Sequence, residues 1–184
     1  MRRSLTLCLA LVACAAAAVA AAREPAMREQ PSARRPVLAV LDVELSGDLG
    51  GPELVGEHEA RLKMASTRLR DDLARTGLYE LADNAPAQDV INRLKSQQRY
   101  LHDCNGCDLE VGRQLGADQV LVAWVYRVSG LILTLTYEIH DVATAQTTTR
   151  KSFDFRGDND AAWTHAIDYM VRDLKEGATL PPRA

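Results

Sequence analysis

The sequence predicts an α/β (α+β) fold: one domain whose mixed sheet starts as a βαβ unit and ends in an antiparallel three-strand meander, with helices packed on the sheet. Three observations predict it. A short, branched apolar run, Val37-Leu38-Ala39-Val40-Leu41, opens the patterned part of the chain. Apolar residues then recur at helical spacing as far as Leu115, and from Val120 alternation takes over until a last helical stretch.

The first strand runs from Val37 through the alternation Asp42-Val43-Glu44-Leu45, and the glycines and proline of 46–52 mark a loop. Leu62, Ala65, Leu69 and Leu73 share one helical face, and Gly77 stands where a left-handed cap would end that helix. Leu78 to Ala82 reads as a short second strand. Pro86 suits the first turn of a helix carrying Val90, Ile91, Leu94 and Leu101. Leu109, Val111 and Leu115 form a third, short helix stopped at Gly116. Val120 to Val128 is the third strand, Ser129-Gly130 a tight turn, and Leu131, Leu133, Leu135, Tyr137 and Ile139 are the inward phase of the fourth. Thr147, Thr149, Lys151, Phe153 and Phe155 mark a fifth strand. Asp158-Asn159 caps a last helix with Trp163, Ile167, Met170 and Leu174 inward, giving the order βαβααβββα.

Ahead of this pattern, residues 1–22 have the composition of a secretory signal peptide: Arg2 and Arg3, an apolar Leu5 to Val12, and small residues up to Ala22. A membrane anchor is the alternative, disfavoured by the high alanine content of Leu5 to Ala22. Leu11-Val12-Ala13-Cys14 resembles a lipobox and makes Cys14 a lipidation candidate, although an apolar tail would then follow the lipidated residue. Residues 23–35 read as a disordered linker, 36–177 as the domain and 178–184 as a disordered tail. Removing residues 1–22 from the 184-residue chain takes Arg2 and Arg3 with them and moves the net charge from −3 to −5. An acidic chain without a basic run disfavours nucleic acid as a partner and, unless Cys14 is lipidated, leaves no membrane insertion after cleavage. The predicted location is periplasmic or secreted, with an outer-membrane lipoprotein as the lesser alternative.

The segments Val37 to Val43, Cys104-Asn105-Gly106-Cys107, Leu115-Gly116-Ala117-Asp118 and Asp141-Val142-Ala143-Thr144 together resemble a family of predicted secreted bacterial proteins of unknown function, over about residues 36–176. Phe155-Arg156-Gly157-Asp158 to Trp163 adds to that resemblance. In fold the pattern is similar to the N-terminal domain of the Tol-system periplasmic protein and to curli-secretion and penicillin-binding-protein activator lipoproteins. The resemblance implies a βαβ-plus-meander fold, an envelope location and a non-catalytic module with an envelope protein as partner. One departure is Ala145, where the similar domains place glycine after the fourth strand.

Candidate chemistry is sparse. After cleavage, Cys104 and Cys107 remain, and two cysteines so close in an oxidising compartment pair as a structural disulfide; a redox role at a helix start is the rival reading. His102, Asp103, Cys104 and Cys107 have the donor types for zinc or copper(I), but the remaining histidines, His58, His140 and His165, stand apart and two of them read as solvent-exposed. Asp42 and Glu44 fall on one face of the first strand, as a solvated edge or as partners of Arg61 and Arg68 rather than an acid/base pair. Ser46, Ser129 and Ser152 lack the context of a nucleophile, and Gly47, Gly50 and Gly51 lack the lysine of a phosphate loop. Trp163, Phe153 and Phe155 fall on core phases, and a doubly covered strand would hide Trp124. The expectation is an exported, non-catalytic envelope protein with no cofactor, binding a protein or ligand, with a thiol-redox or metal-handling protein as the alternative.

Overall fold

A computed structural model describes residues 34–179, with the side chain of residue 179 excluded. The expected signal peptide and the lipidation candidate Cys14 lie outside the described residues. The domain is a mixed α+β unit with six strands, β1 (Val37–Val40), β2 (Glu44–Gly47), β3 (Glu80–Leu81), β4 (Gln119–Arg127), β5 (Ile132–Asp141) and β6 (Thr147–Arg156). Four α-helices accompany them: α1 (Val55–Thr76), α2 (Gln88–Gln97), α3 (Cys107–Gln114) and α4 (Asp160–Thr179). The sheet is open, in the order β3-β1-β4-β5-β6, with β2 also paired to β4. β1 is parallel to β3 and β4, and β2 is parallel to β4. β4, β5 and β6 form the antiparallel meander.

The expected single first strand is thus two. Leu41 still donates its N–H to Leu121 O at 3.0 Å, but the Val43 N–H turns to the Ser66 hydroxyl of α1 at 2.9 Å. A helix side chain has taken a ladder bond, and Asp42 is released to the surface. The second strand is shorter than expected, and α2 ends at Gln97 because Gln98 is extended (φ −126, ψ 135). Leu101 is therefore a loop residue, yet buried. The β4–β5 connection spans Val128 to Leu131, wider than a two-residue turn, and leaves Leu131 exposed.

One core lies between the sheet and the α1/α4 layer, where Leu38, Val40, Leu121, Leu133, Leu135, Tyr137 and Ile139 meet Leu69, Leu73, Trp163, Ile167 and Met170. A second, smaller core lies on the opposite face, where Ala39, Leu41, Val120 and Val122 meet Ile91, Leu94, Leu101 and Val111. Each buried large side chain contributes roughly 1.5–3 kcal/mol. The second layer covers only the β1/β4 half of its face; on β5 and β6 that face carries Thr134, Thr136, Glu138, Arg150, Ser152 and Asp154.

The short motifs acquire local reasons. Gly116 is left-handed (φ 62) after α3, and Asp118 two residues on receives the Val37 N–H at 2.7 Å and Arg34 at 3.0 Å, fastening the start of β1. Asp141 closes the β5–β6 turn by accepting both the N–H and the hydroxyl of Thr144 at 2.8 Å. Within that turn Ala145 holds φ 58, the left-handed region that costs an L-residue about 1–2 kcal/mol. Ala145→Gly relieves this while adding freedom to the unfolded chain, so a net gain of about 0.5–1 kcal/mol is expected in urea unfolding.

Candidate functional site

Along one face of β4 the side chains Val120, Val122, Trp124 and Tyr126 follow each other at period two, and cover is lost in that order. Val120 and Val122 are buried under α2 and α3, Trp124 is half-buried, and Tyr126 is 49% exposed. The edge of that cover is the loop between α2 and α3, and Glu44 fixes it. One Glu44 oxygen accepts the Leu101 N–H at 2.8 Å; the other accepts the His102 N–H at 3.0 Å and meets His102 Nδ1 at 2.5 Å. Burial opposes the charge on Glu44, but the His102 and backbone hydrogen bonds outweigh it and hold its carboxyl below the ordinary range.

Thus fixed, the His102 ring stacks on Trp124 with centroids 4.4 Å apart and planes within 8°. Tyr100 follows at 5.2 Å from His102, and the Arg99 guanidinium lies 5.2 Å over the Tyr100 ring. These rings, Tyr126, Asp103, Glu138 and Arg150 enclose a concave surface of about 480 Å³. Hiding of Trp124 by a doubly covered strand is therefore only half realised, because the covering layer ends there.

The disulfide Cys104–Cys107 closes the same loop, with Cα atoms 5.6 Å apart, and Cys107 begins α3. Of the metal candidates, the two cysteines are joined, His102 is turned to Glu44, and Asp103 is exposed. Among the described residues no group of three or more His, Cys, Asp or Glu is placed to hold a metal ion. A chain-entropy treatment gives so short a loop about 2 kcal/mol. The double variant Cys104→Ser/Cys107→Ser is accordingly expected to fold and to lose about that amount in chemical denaturation.

Two clusters went unread in the sequence. His140, expected on a solvent face, lies between Asp108 (Nδ1 to Oδ2, 2.5 Å) and Glu138 (Nε2 to Oε2, 2.8 Å), with Arg150 on the far oxygen of Glu138 at 2.8 Å. Burial lowers its pKa, but the two carboxylates together raise it above the ordinary 6.5. A raised folded pKa adds stability in full below pH 6.5 and loses it as pH rises through the folded value. His140→Gln is expected to flatten unfolding stability above pH 6.5, where the parent declines.

The other cluster surrounds Asp158, which sequence reading made a helix cap. Asn159 performs that role, its Oδ1 accepting the Ala162 N–H at 3.1 Å. Asp158 is buried instead, with its side chain 7% exposed, and it receives Arg127 Nε at 2.7 Å, His58 Nε2 at 3.0 Å, Trp163 Nε1 at 3.1 Å and Arg61 Nη1 at 3.2 Å. His58 is thus not solvent-exposed, and Arg61 and Arg68 are not partners of the first-strand carboxylates. Arg68 bonds Asp168, while Asp42 takes Arg70 at 2.8 Å and Lys95 at 3.4 Å. Asp42 and Glu44 therefore serve separate surroundings. A visible signal for the Asp158 cluster was Arg127, a lone cation ending the apolar run Val120 to Val125 and Tyr126.

Fold and site together define an open-sheet α+β domain carrying a partly wet aromatic surface beside a disulfide-closed loop. The chain belongs to the family whose model, DUF3280, is described as "Protein of unknown function (DUF2380)" and matches residues 36–174. Among curated proteins none matches it significantly. Solved structures with a similar fold include LpoB of E. coli (21% identity, TM-score 0.49, 65% of this chain and 55% of that one). Lipoprotein GNA1162 from Neisseria meningitidis (16%, 0.46, 77% and 99%) and TolB from Acinetobacter baumannii (16%, 0.46, 79% and 29%) are two others. The chain spans about half of LpoB and under a third of TolB.

Proposed function

We propose that this protein is an exported, non-catalytic envelope component whose domain docks another envelope protein through the surface of Tyr100, Trp124 and Tyr126. The observation that supports this most is the progressive uncovering of one β4 face, which leaves amphipathic rings at the edge of a core, rimmed by Arg99 and Arg150. The composition of residues 1–22 supports export, to the periplasm or beyond, with lipidation of Cys14 as the alternative anchoring. Among the described residues, no helix is long and apolar enough to cross a membrane.

The test is capture from envelope extract by the tagged exported chain, against the variant Trp124→Ala/Tyr126→Ala. Loss of a reproducible partner in the variant, with an unchanged melting profile, supports the reading. Equal recovery by both proteins overturns it. A thiol-redox reading rests on Cys104, half-buried in the turn before α3; retention of partner binding by Cys104→Ser/Cys107→Ser counts against it.

A further inference from the structure

We infer that two copies of this chain pair through β6, edge to edge and antiparallel, with Ser152 meeting Ser152 on the two-fold axis. Among the described strands β6 has one neighbour, β5, so the other edge of Thr147–Arg156 presents its backbone donors and acceptors outward. A lysine on an edge normally guards it, but Lys151 is drawn over α4 by Asp173 at 2.6 Å. Beside this edge lies an open groove of about 620 Å³ between β6 and α4, with Phe153, Phe155 and Tyr169 among its walls.

Charge selects the occupant and its register. A two-fold axis normal to the sheet pairs only residues of like parity. Centring on Arg150, Lys151 or Asp154 opposes each to its own copy, and centring on Phe153 sets Arg150 against Arg156. Centring on Phe155 leaves little of the strand overlapping. Centring on Ser152 overlaps Thr148 to Arg156 and places Arg150 opposite Asp154 twice. Both residues are exposed, and each keeps capacity for the new contact: Arg150 reaches Glu138 through Nη1, and Asp154 accepts Thr134 on Oδ1.

Directly paired strand residues have Cα atoms roughly 4.5–5.5 Å apart, within disulfide reach. In sedimentation of the exported chain a dimer is expected, and Ser152→Cys is expected to cross-link to itself on oxidation while Thr148→Cys, which faces Arg156, does not. Arg150→Asp and Asp154→Arg are each expected to raise the dimer dissociation constant about tenfold, and the combined swap to restore it. A chain that stays monomeric at every concentration overturns the inference. So does a dimer indifferent to these charges, or one whose Thr148→Cys variant cross-links as well as Ser152→Cys. Because the readout is self-association, it is independent of partner capture through Trp124.

Discussion

Asp158→Ala is expected to lower the unfolding free energy by about 3–5 kcal/mol, the usual cost of removing one member of a buried ionic group. The carboxylate is where four side chains from three elements converge. His58 and Arg61 come from α1, Arg127 from the end of β4 and Trp163 from α4, and all four donate to its two oxygens. Without it, two guanidiniums of about 8–9% side-chain exposure remain, Arg127 with the Asp48 carbonyl and, at 4.0 Å, its exposed carboxylate, and Arg61 with the rim carboxylates of Glu57 and Asp160. Burial pushes the Asp158 carboxyl up, but the His58, Arg127 and Trp163 hydrogen bonds prevail and hold it below 3.8. A depressed folded pKa gives stability that is present above pH 3.8 and lost as pH falls through the folded value. The parent should therefore show a steeper acid-dependent decline than Asp158→Ala, which keeps the contribution of Glu44, measured by urea unfolding at stepped pH.

Trp163→Ala is expected to cost a comparable 3–5 kcal/mol, by a different route. The indole is 1% exposed, packs edge-on against Phe155 with centroids 6.2 Å apart, and fills the contact between α4 and the sheet. Its removal leaves a large cavity and takes one of the two donors from Asp158 Oδ1, which keeps Arg61. Because Trp163 Nε1 is itself a donor to Asp158, the two substitutions share an interaction and the double variant should fall short of the sum of the singles. Strict additivity would mean that the indole acts through volume alone. Trp163→Phe separates the terms, since it keeps most of the volume and deletes the donor.

The sequence was most legible where structure follows from neighbours in the chain. The apolar phase Leu133, Leu135, Tyr137 and Ile139 of β5 is buried as its alternation predicts, and Gly77 caps α1 in the left-handed conformation at φ 69. Legibility failed where a distant group decided the outcome. Asp42-Val43-Glu44 continues a strand by pattern, but the Ser66 hydroxyl of a helix diverts the Val43 amide and divides it. Asp158 has the local look of a cap, and its burial depends on His58, a hundred residues earlier. In the candidate site, Glu44, His102 and Trp124 were each noticed for separate reasons. Their assembly required knowing that β2 and β4 are parallel neighbours and that the disulfide-closed loop returns over them.

The central place of β4 governs the order in which this chain is able to fold. β1 and β2 both depend on it for their parallel pairing, with Leu38 opposite Gln119 and Leu45 opposite Val125. Of the described strands that precede it, only β1 and β3 pair with each other, at Val37–Glu80 and Leu38–Leu81. Parallel contacts of such long range close late and slowly. A nascent chain shorter than about residue 127 is therefore held back from forming the native sheet, because β1 and β2 lack the strand that both pair with. The native sheet becomes possible only once β4 has been made.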